Sequence, residues 1–230
     1  MDISLDGRTV VVTGGTGFLG SAVTQALLDA GAACHVTYVT EKERERFTLG
    51  QRVGVHRVNC ENEQEVAEFY ESLGEVWGSV HTVGGFAMAS VEKTSAEQML
   101  QMFGVNAMTC FLCCREGAKA MRKSGRGGRI VNVAARPAVT PVGGMIAYST
   151  SKAAVASITQ CLGEELKAEG ILVNAVVPSI MDTAANRRAM PDADFSKWPT
   201  VQQVAQAIVF LASPGNALTS GALLPVYGKA

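Results

Sequence analysis

The sequence predicts an α/β fold of the doubly wound type, with a mainly parallel sheet of about seven strands layered between helices. Three observations carry that reading. Short β-branched or apolar runs alternate with longer helix-forming segments from one end of the chain to the other. That is the pattern of a parallel sheet with helical crossovers. A glycine-rich turn, Gly14-Gly15-Thr16-Gly17-Phe18-Leu19-Gly20, joins the first strand directly to the first helix. Glycine or proline punctuation then recurs where later strands end, at Gly84-Gly85 and at Pro178. Sheets of this class bind ligands outside the carboxyl ends of their strands.

The elements follow in order. Thr9-Val10-Val11-Val12-Thr13 is a β-branched strand, and an Ala/Leu-rich helix runs from the glycine turn to about Ala30. The spacing G-x-x-G-x-x-G between strand and helix lets the backbone turn sharply and approach a pyrophosphate at the helix N-terminus. Residues 34–39 form the second strand, ending in Tyr38-Val39-Thr40-Glu41-Lys42. No acid stands at that tip for an adenosine ribose, and no arginine directly follows for a 2′-phosphate. Glu41 is one turn late, Lys42 and Arg44 are possible phosphate ligands, and the choice between NAD and NADP stays open. A third strand spans 53–58 and ends in Asn59-Cys60, followed by an acidic helix over 63–73. A fourth strand over 80–83 gives way to Gly84-Gly85-Phe86, and 95–124 is helical material containing Asn106. A fifth strand covers 130–135, a helix 153–169, a sixth strand 171–177, a helix 201–212 and a last strand about 221–226. The polar, proline-bearing stretch 181–199 is the only substantial insertion, and it is expected to act as a lid over the crevice.

Composition bounds the function. The chain has 230 residues, 47% hydrophobic and 18% charged, which suits one domain with a full core and no need of disulfides. A formal charge of −1 gives no reason to expect nucleic acid as a partner. Arg122, Lys123, Arg126 and Arg129 make one basic cluster, read as a solvated helix end and loop. No apolar run reaches membrane-spanning length, and residues 1–6 lack the pattern of a signal peptide. A cytoplasmic protein is expected. Cys110 and Cys113 formally make C-x-x-C, but inside an apolar helical run, so the six cysteines are read as buried free thiols. His35, His56 and His81 are scattered without ligand spacing, so no metal is expected.

The chemistry concentrates between Arg129 and Lys152. Tyr148 and Lys152 are four apart, sharing one face of a helix. An ammonium beside a phenol stabilises its anion, so the Tyr148 pKa is expected to fall from about 10 toward neutrality. Such a tyrosine is a general acid.

Taken together, Thr13-Gly14-x-x-Gly17-x-x-Gly20, Asn106, Tyr148-x-x-x-Lys152 and Asn174-Ala175-Val176-Val177-Pro178 resemble the short-chain dehydrogenase/reductase family over nearly the whole chain. The resemblance implies a Rossmann-type oxidoreductase using NAD or NADP. It makes Tyr148 the proton donor, Lys152 its electrostatic partner and holder of the nicotinamide ribose, and Asn106 the support of a water-mediated proton relay. The cofactor is then expected along Gly14, Thr16, Gly17, Phe18, Leu19 and Gly20, at Tyr38, Asn59, Cys60, Gly84 and Gly85, at Tyr148 and Lys152, and at Pro178, Ile180 and Thr183. Thr183 would meet the nicotinamide carboxamide. The family usually has a serine thirteen residues before the tyrosine, and this chain has Ala135 there, with Arg136 and Thr140 as candidate substitutes.

The C-terminal half, through Gly144-Met145-Ile146-x-Tyr148, Met181-Asp182-Thr183-x-x-Asn186-Arg187 and the run Met190 to Trp198, resembles quinonoid dihydropteridine reductases. That subfamily also has alanine in place of the serine and an aromatic after the glycine pair, here Phe86. It has an aspartate after its second strand, where this chain has Tyr38-Val39. The resemblance implies a flat substrate near Ala135 and Phe86, covered by Phe195 and Trp198; core packing is the competing role for each aromatic. A 3-oxoacyl thioester or other carbonyl substrate is the alternative, and a non-catalytic NAD(P)-binding regulator a second one. By resemblance, the helices carrying Asn106 and Tyr148 are expected to pair in a homodimer or homotetramer.

Overall fold

A computed structural model describes residues 3–229; Met1 and Asp2 of the N-terminal segment, and Ala230, lie outside the described residues. Seven strands form one parallel sheet: β1 (Thr9–Thr13), β2 (Ala33–Tyr38), β3 (Gly54–Arg57), β4 (Gly78–His81), β5 (Gly128–Val133), β6 (Ile171–Pro178) and β7 (Leu223–Val226). Their order across the sheet is β3-β2-β1-β4-β5-β6-β7, and every neighbouring pair is parallel. The order reverses between β1 and β4, which opens a crevice at the strand ends where glycine turns follow both.

Runs such as Val10-Val11-Val12 stay continuous because both faces of the sheet are covered. Val10 and Val12 pack with α1 (Phe18–Asp29) and α9 (Val201–Ala212), while Val11 packs on the opposite face with α3 (Glu63–Ser72), α5 (Thr109–Ser124) and α7 (Ile146–Leu166). Each fully buried valine contributes about 1.5–3 kcal/mol relative to exposure. Among the described residues, no helix is long and apolar enough to cross a membrane.

Several boundaries differ from expectation. β4 starts and stops two residues early: it pairs with β1 and β5 from Gly78 on, and its ladder to β1 ends where the Thr82 N–H meets the Thr13 carbonyl, just before β1 turns at Gly14. α7 begins at Ile146 and so includes Tyr148 in its first turn. The helical stretch before β5 is α4 (Ala96–Met102), a wider π turn over Phe103–Met108, and α5, in unbroken succession. The insertion 181–199 folds around α8 (Ala184–Ala189) and a 3₁₀ turn at Phe195–Lys197.

The basic cluster is not one. Arg129 is buried and donates to the carbonyls of Asn216 and Gly128, Arg122 pairs with Glu169, and Arg126 pairs with Glu75. Arg129, in β5, is buried, whereas Arg122 and Lys123 end α5 and Arg126 follows in the loop, all three exposed as expected.

Candidate active site

The first site element is the turn after β1. Gly14 takes φ +70°, and a Cβ there would stand 3.0 Å from the Val83 nitrogen. At Gly20 a Cβ would fall 2.2 Å from the Gly14 carbonyl, so the turn packs against its own helix only with hydrogen at that position. The Gly14 N–H donates to the Thr37 hydroxyl at 3.0 Å, tying the turn to β2. Gly17 caps α1 without a side chain, and no acid lies in the first turn. The helix therefore presents free N–H groups and an uncompensated positive end, the chemistry that holds a pyrophosphate. Thr16 is half-buried, Phe18 exposed and Leu19 buried in the core.

At the end of β2, Tyr38 is buried and its hydroxyl donates to Glu41 at 3.3 Å. Arg44 lies over the same ring at 5.9 Å and pairs with Glu41. Glu43 accepts from the N–H groups of Val39 and Thr40, completing a capping box on α2 (Glu41–Arg46). Asn59 is exposed, whereas Cys60 is buried with its sulfur 3.8 Å from the Thr37 hydroxyl.

The second glycine turn meets the catalytic candidates directly. A Cβ on Gly84 would lie 2.7 Å from the Asn106 side-chain oxygen and 3.2 Å from Lys152 Nζ. The Asn106 oxygen accepts from the Gly85 N–H at 3.0 Å, and its Nδ2 donates to the Gly85 carbonyl and to Ser151 Oγ at 3.0 Å. Ser151 in turn donates to the Tyr148 carbonyl at 2.8 Å. Gly84, Gly85, Asn106, Ser151, Tyr148 and Lys152 thus form one connected floor at the ends of β4 and β5. The π turn is what projects Asn106 into it. Ser151 was not singled out in the sequence, although its place three residues after Tyr148 puts it on the facing side of the helix.

The expectation of a lowered Tyr148 pKa is overturned. Burial pushes the phenol up to about 12, and burial pulls the Lys152 ammonium down to about 8. Shared helix face is not contact: Lys152 Nζ donates to the Val133 carbonyl at 2.8 Å, and desolvation then governs the phenol. Phe86 is exposed and packs edge-on against Tyr148, ring centroids 4.9 Å apart.

Ala135 is buried at the end of β5 and caps α6 (Arg136–Val139) without a side-chain bond. Arg136 lies over the Tyr227 ring at 4.9 Å, and Thr140 is exposed at the far end of α6. At the end of β6 Pro178 is buried; beyond it Ile180 is exposed and the Thr183 hydroxyl accepts from the Asn186 N–H to cap α8. Trp198 is buried with Phe195 half-buried beside it at 5.0 Å, and Arg187 lies over Phe195 while paired with Asp182. A cavity of about 580 Å³ under this segment is lined by Asp182, Arg187, Phe195 and Trp198 among others, but not by Tyr148, Lys152 or Ala135.

Two readings of the cysteines and histidines are corrected. Cys161 is exposed, not buried. His81 is not isolated, because the sheet and α5 bring it within 4.8 Å of Cys110 and Cys114; the helical partner of Cys110 is Cys114, not Cys113. His35 and His56, on neighbouring strands, also meet at 2.9 Å.

The parallel sheet, the glycine turn on an uncapped helix and the Tyr148–Lys152–Asn106 floor define a dinucleotide-dependent oxidoreductase. Residues 8–194 match the short chain dehydrogenase family, and the chain belongs to it. It is 31% identical to galactitol 2-dehydrogenase of Rhizobium johnstonii, over 96% of this chain and 94% of that protein. Against D-threitol dehydrogenase of Mycolicibacterium smegmatis the identity is 29%, over 99% of this chain and 94% of that protein. A solved dehydrogenase/reductase from Sinorhizobium meliloti superposes with a TM-score of 0.86 at 28% identity, covering 99% of this chain and 96% of that one. The family uses a nicotinamide dinucleotide, and the glycine cradle fits one.

Proposed function

We propose that the chain is an NAD(P)H-dependent reductase that works without the usual serine, and that its substrate is an electron-poor conjugated heterocycle of the quinonoid dihydropterin kind. The observation that carries this is the buried methyl of Ala135 beside an otherwise complete Tyr148–Lys152–Asn106 floor. A ketone oxygen becomes an oxyanion in the transition state, and losing one of its donors costs about 3 kcal/mol. A quinonoid ring spreads that charge over its conjugated system and needs only a hydride and a proton. The dinucleotide, when bound, supplies the hydride.

The remaining chemistry belongs to the chain. The Tyr148 phenol, pushed up to about 12, is fully protonated at neutral pH and donates its proton to the reduced ring. Lys152, cationic below about 8, holds the nicotinamide ribose and compensates the phenolate that donation leaves. Asn106 fixes the Gly84–Gly85 backbone that approaches the cofactor and supports the relay that returns a proton to Tyr148. Phe86 offers a flat heterocycle an aromatic neighbour beside Tyr148, and the 181–199 segment would close over the crevice with Phe195 and Trp198 packed within it rather than against the substrate. Lys42 and Arg44 are the residues that would favour NADP over NAD. A homodimer or homotetramer in the cytoplasm, paired through the helical stretch carrying Asn106 and through α7, completes the reading; Phe103, Met108 and Phe111 are exposed on the first of these.

The second reading, a 3-oxoacyl thioester or other carbonyl reductase, is favoured by relatives named for such chemistry, including an acetoacetyl-CoA reductase of Rhizobium meliloti at 28% identity. Ala135→Ser separates the two. Assayed with NADH and NADPH, the pterin reading predicts a gain of about 10²-fold on acetoacetyl thioester and no gain on quinonoid dihydropterin. Efficient thioester reduction by the unaltered chain would support the carbonyl reading instead. Cofactor binding with no turnover of any acceptor would leave a nucleotide-binding regulator.

A further inference from the structure

We propose that His81, Cys110 and Cys114, closed by the side-chain oxygen of Asn132, form a structural zinc site one helical turn below Asn106. Cys110 Sγ and Cys114 Sγ are 4.0 Å apart, and Cys114 Sγ is 3.5 Å from His81 Nδ1. Asn132 Oδ1 lies 3.4 Å from Cys114 Sγ and 2.8 Å from His81 Nδ1. Zinc bonds of about 2.3 Å to sulfur and about 2.0 Å to nitrogen, at tetrahedral angles, require edges of about 3.8 Å between sulfurs and about 3.5 Å from sulfur to nitrogen. The Cys110–Cys114, Cys114–His81 and Cys114–Asn132 distances match within a few tenths of an ångström, while the His81–Asn132 pair, hydrogen-bonded at 2.8 Å, would open by about half an ångström on loading.

Three elements build the site. His81 and Asn132 are paired residues of adjacent strands β4 and β5, so their side chains leave the sheet together toward α5. Cys110 and Cys114 are four apart on the buried face of α5. All four are buried. His81 and Asn132 each have an outer partner that fixes their orientation, as metal ligands do. His81 Nε2 lies 2.8 Å from Ser79 Oγ, itself 2.6 Å from the buried Tyr70 hydroxyl, which leaves Nδ1 facing the sulfurs. Asn132 Nδ2 donates to Thr159 Oγ1 at 2.9 Å, which fixes its oxygen on the same side.

The donor set selects the ion. Two thiolates and an imidazole exclude calcium and magnesium, which take oxygen ligands. A divalent ion neutralises two thiolates, so the loaded site carries no net charge into the core, whereas a monovalent copper leaves an unpaired negative charge there. Binding releases the two thiol protons. The loaded site would tie α5 to β4 and β5 beneath the floor that Asn106 supports.

Because the site is buried, metal would be taken up during folding, so the test uses full-length protein expressed in zinc- or cobalt-supplemented medium and purified in chelator. About one metal per chain is expected, with thiolate-to-cobalt charge transfer and the strong visible bands of a tetrahedral site. The double variant Cys110→Ser, Cys114→Ser should lose both, and Cys161→Ser, which removes the exposed thiol, should lose neither. If the double variant does not fold, zinc-edge absorption on the unaltered chain decides, with two sulfurs at about 2.3 Å expected. Metal-free protein, metal lost with Cys161→Ser, or a shell of nitrogen and oxygen alone would overturn the proposal and leave a hydrogen-bonded thiol cluster.

Discussion

Lys152→Met should make the cofactor-free chain more stable at neutral pH while removing its function. The Lys152 side chain is 6% exposed, and burial lowers its pKa from 10.5 to about 8. At about 1.4 kcal/mol per unit, keeping the ammonium charged costs the folded state about 3 kcal/mol at pH 7. Between about 8 and 10.5 the unfolded chain still holds the proton that the folded chain has released at Lys152, so this group's contribution to stability rises with pH through that window. Methionine removes the charge at similar volume, but it leaves the Val133 carbonyl without the donor now 2.8 Å away, a loss of about 1–2 kcal/mol. The net expectation is a gain of about 1–2 kcal/mol at pH 7 and a gap to the unaltered chain that narrows as pH rises past about 8. Urea midpoints at pH 7, 8 and 9 measure both. The range stops short of 10 because Tyr148, whose folded pKa is raised from 10.0 to about 12, loses its own stabilising contribution as pH rises between those values. The buried thiols Cys34 and Cys114, whose pKa values burial raises above 9.0, and Cys113, raised by its hydrogen bond with Cys60 and by burial, lose stability with rising pH in both proteins and cancel in the comparison. A stability gap that does not narrow from pH 8 to 9, or a variant less stable at pH 7, would refute the reasoning.

The same groups shape activity. Reduction measured as kcat/KM should be flat on the acid side of about 8 and fall above it as Lys152 loses its proton, with no loss assignable to Tyr148 until far higher pH. A rise through pH 8 would contradict that assignment. Gly84→Ala places a methyl 2.7 Å from the Asn106 oxygen, which is held by the Gly85 N–H. Turnover should fall at least about 10-fold with a small change in melting temperature, since the misplacement falls on the reacting geometry rather than on the core.

The sheet was legible because buried parallel strands are written as β-branched runs, and Val10-Val11-Val12 or Val173 to Val177 admit no other reading in a chain that alternates with helices. The family motifs likewise marked the floor at Tyr148, Lys152 and Asn106. What failed was chemistry decided by direction and burial. Four-residue spacing puts Tyr148 and Lys152 on one face, but only the fold shows Lys152 Nζ turned to the Val133 carbonyl. The β4 boundary moved because its partner β1 turns away at Gly14, a position whose positive φ no neighbour-strand pattern in β4 reveals. His81, Cys110, Cys114 and Asn132 come from β4, α5 and β5, and no spacing rule joins a strand residue to a helix residue across a sheet.

The central claim is that Tyr148 supplies the proton in a serine-free reductase, and Tyr148→Phe tests it most directly. Oxidation of NADH and NADPH by chemically generated quinonoid dihydropterin is followed through the near-ultraviolet absorbance of the reduced nicotinamide. Cofactor binding is measured on the same samples. The account predicts binding within about 2-fold of the unaltered chain and turnover lower by about 10²-fold or more. Turnover that survives the loss of the hydroxyl unchanged would contradict it.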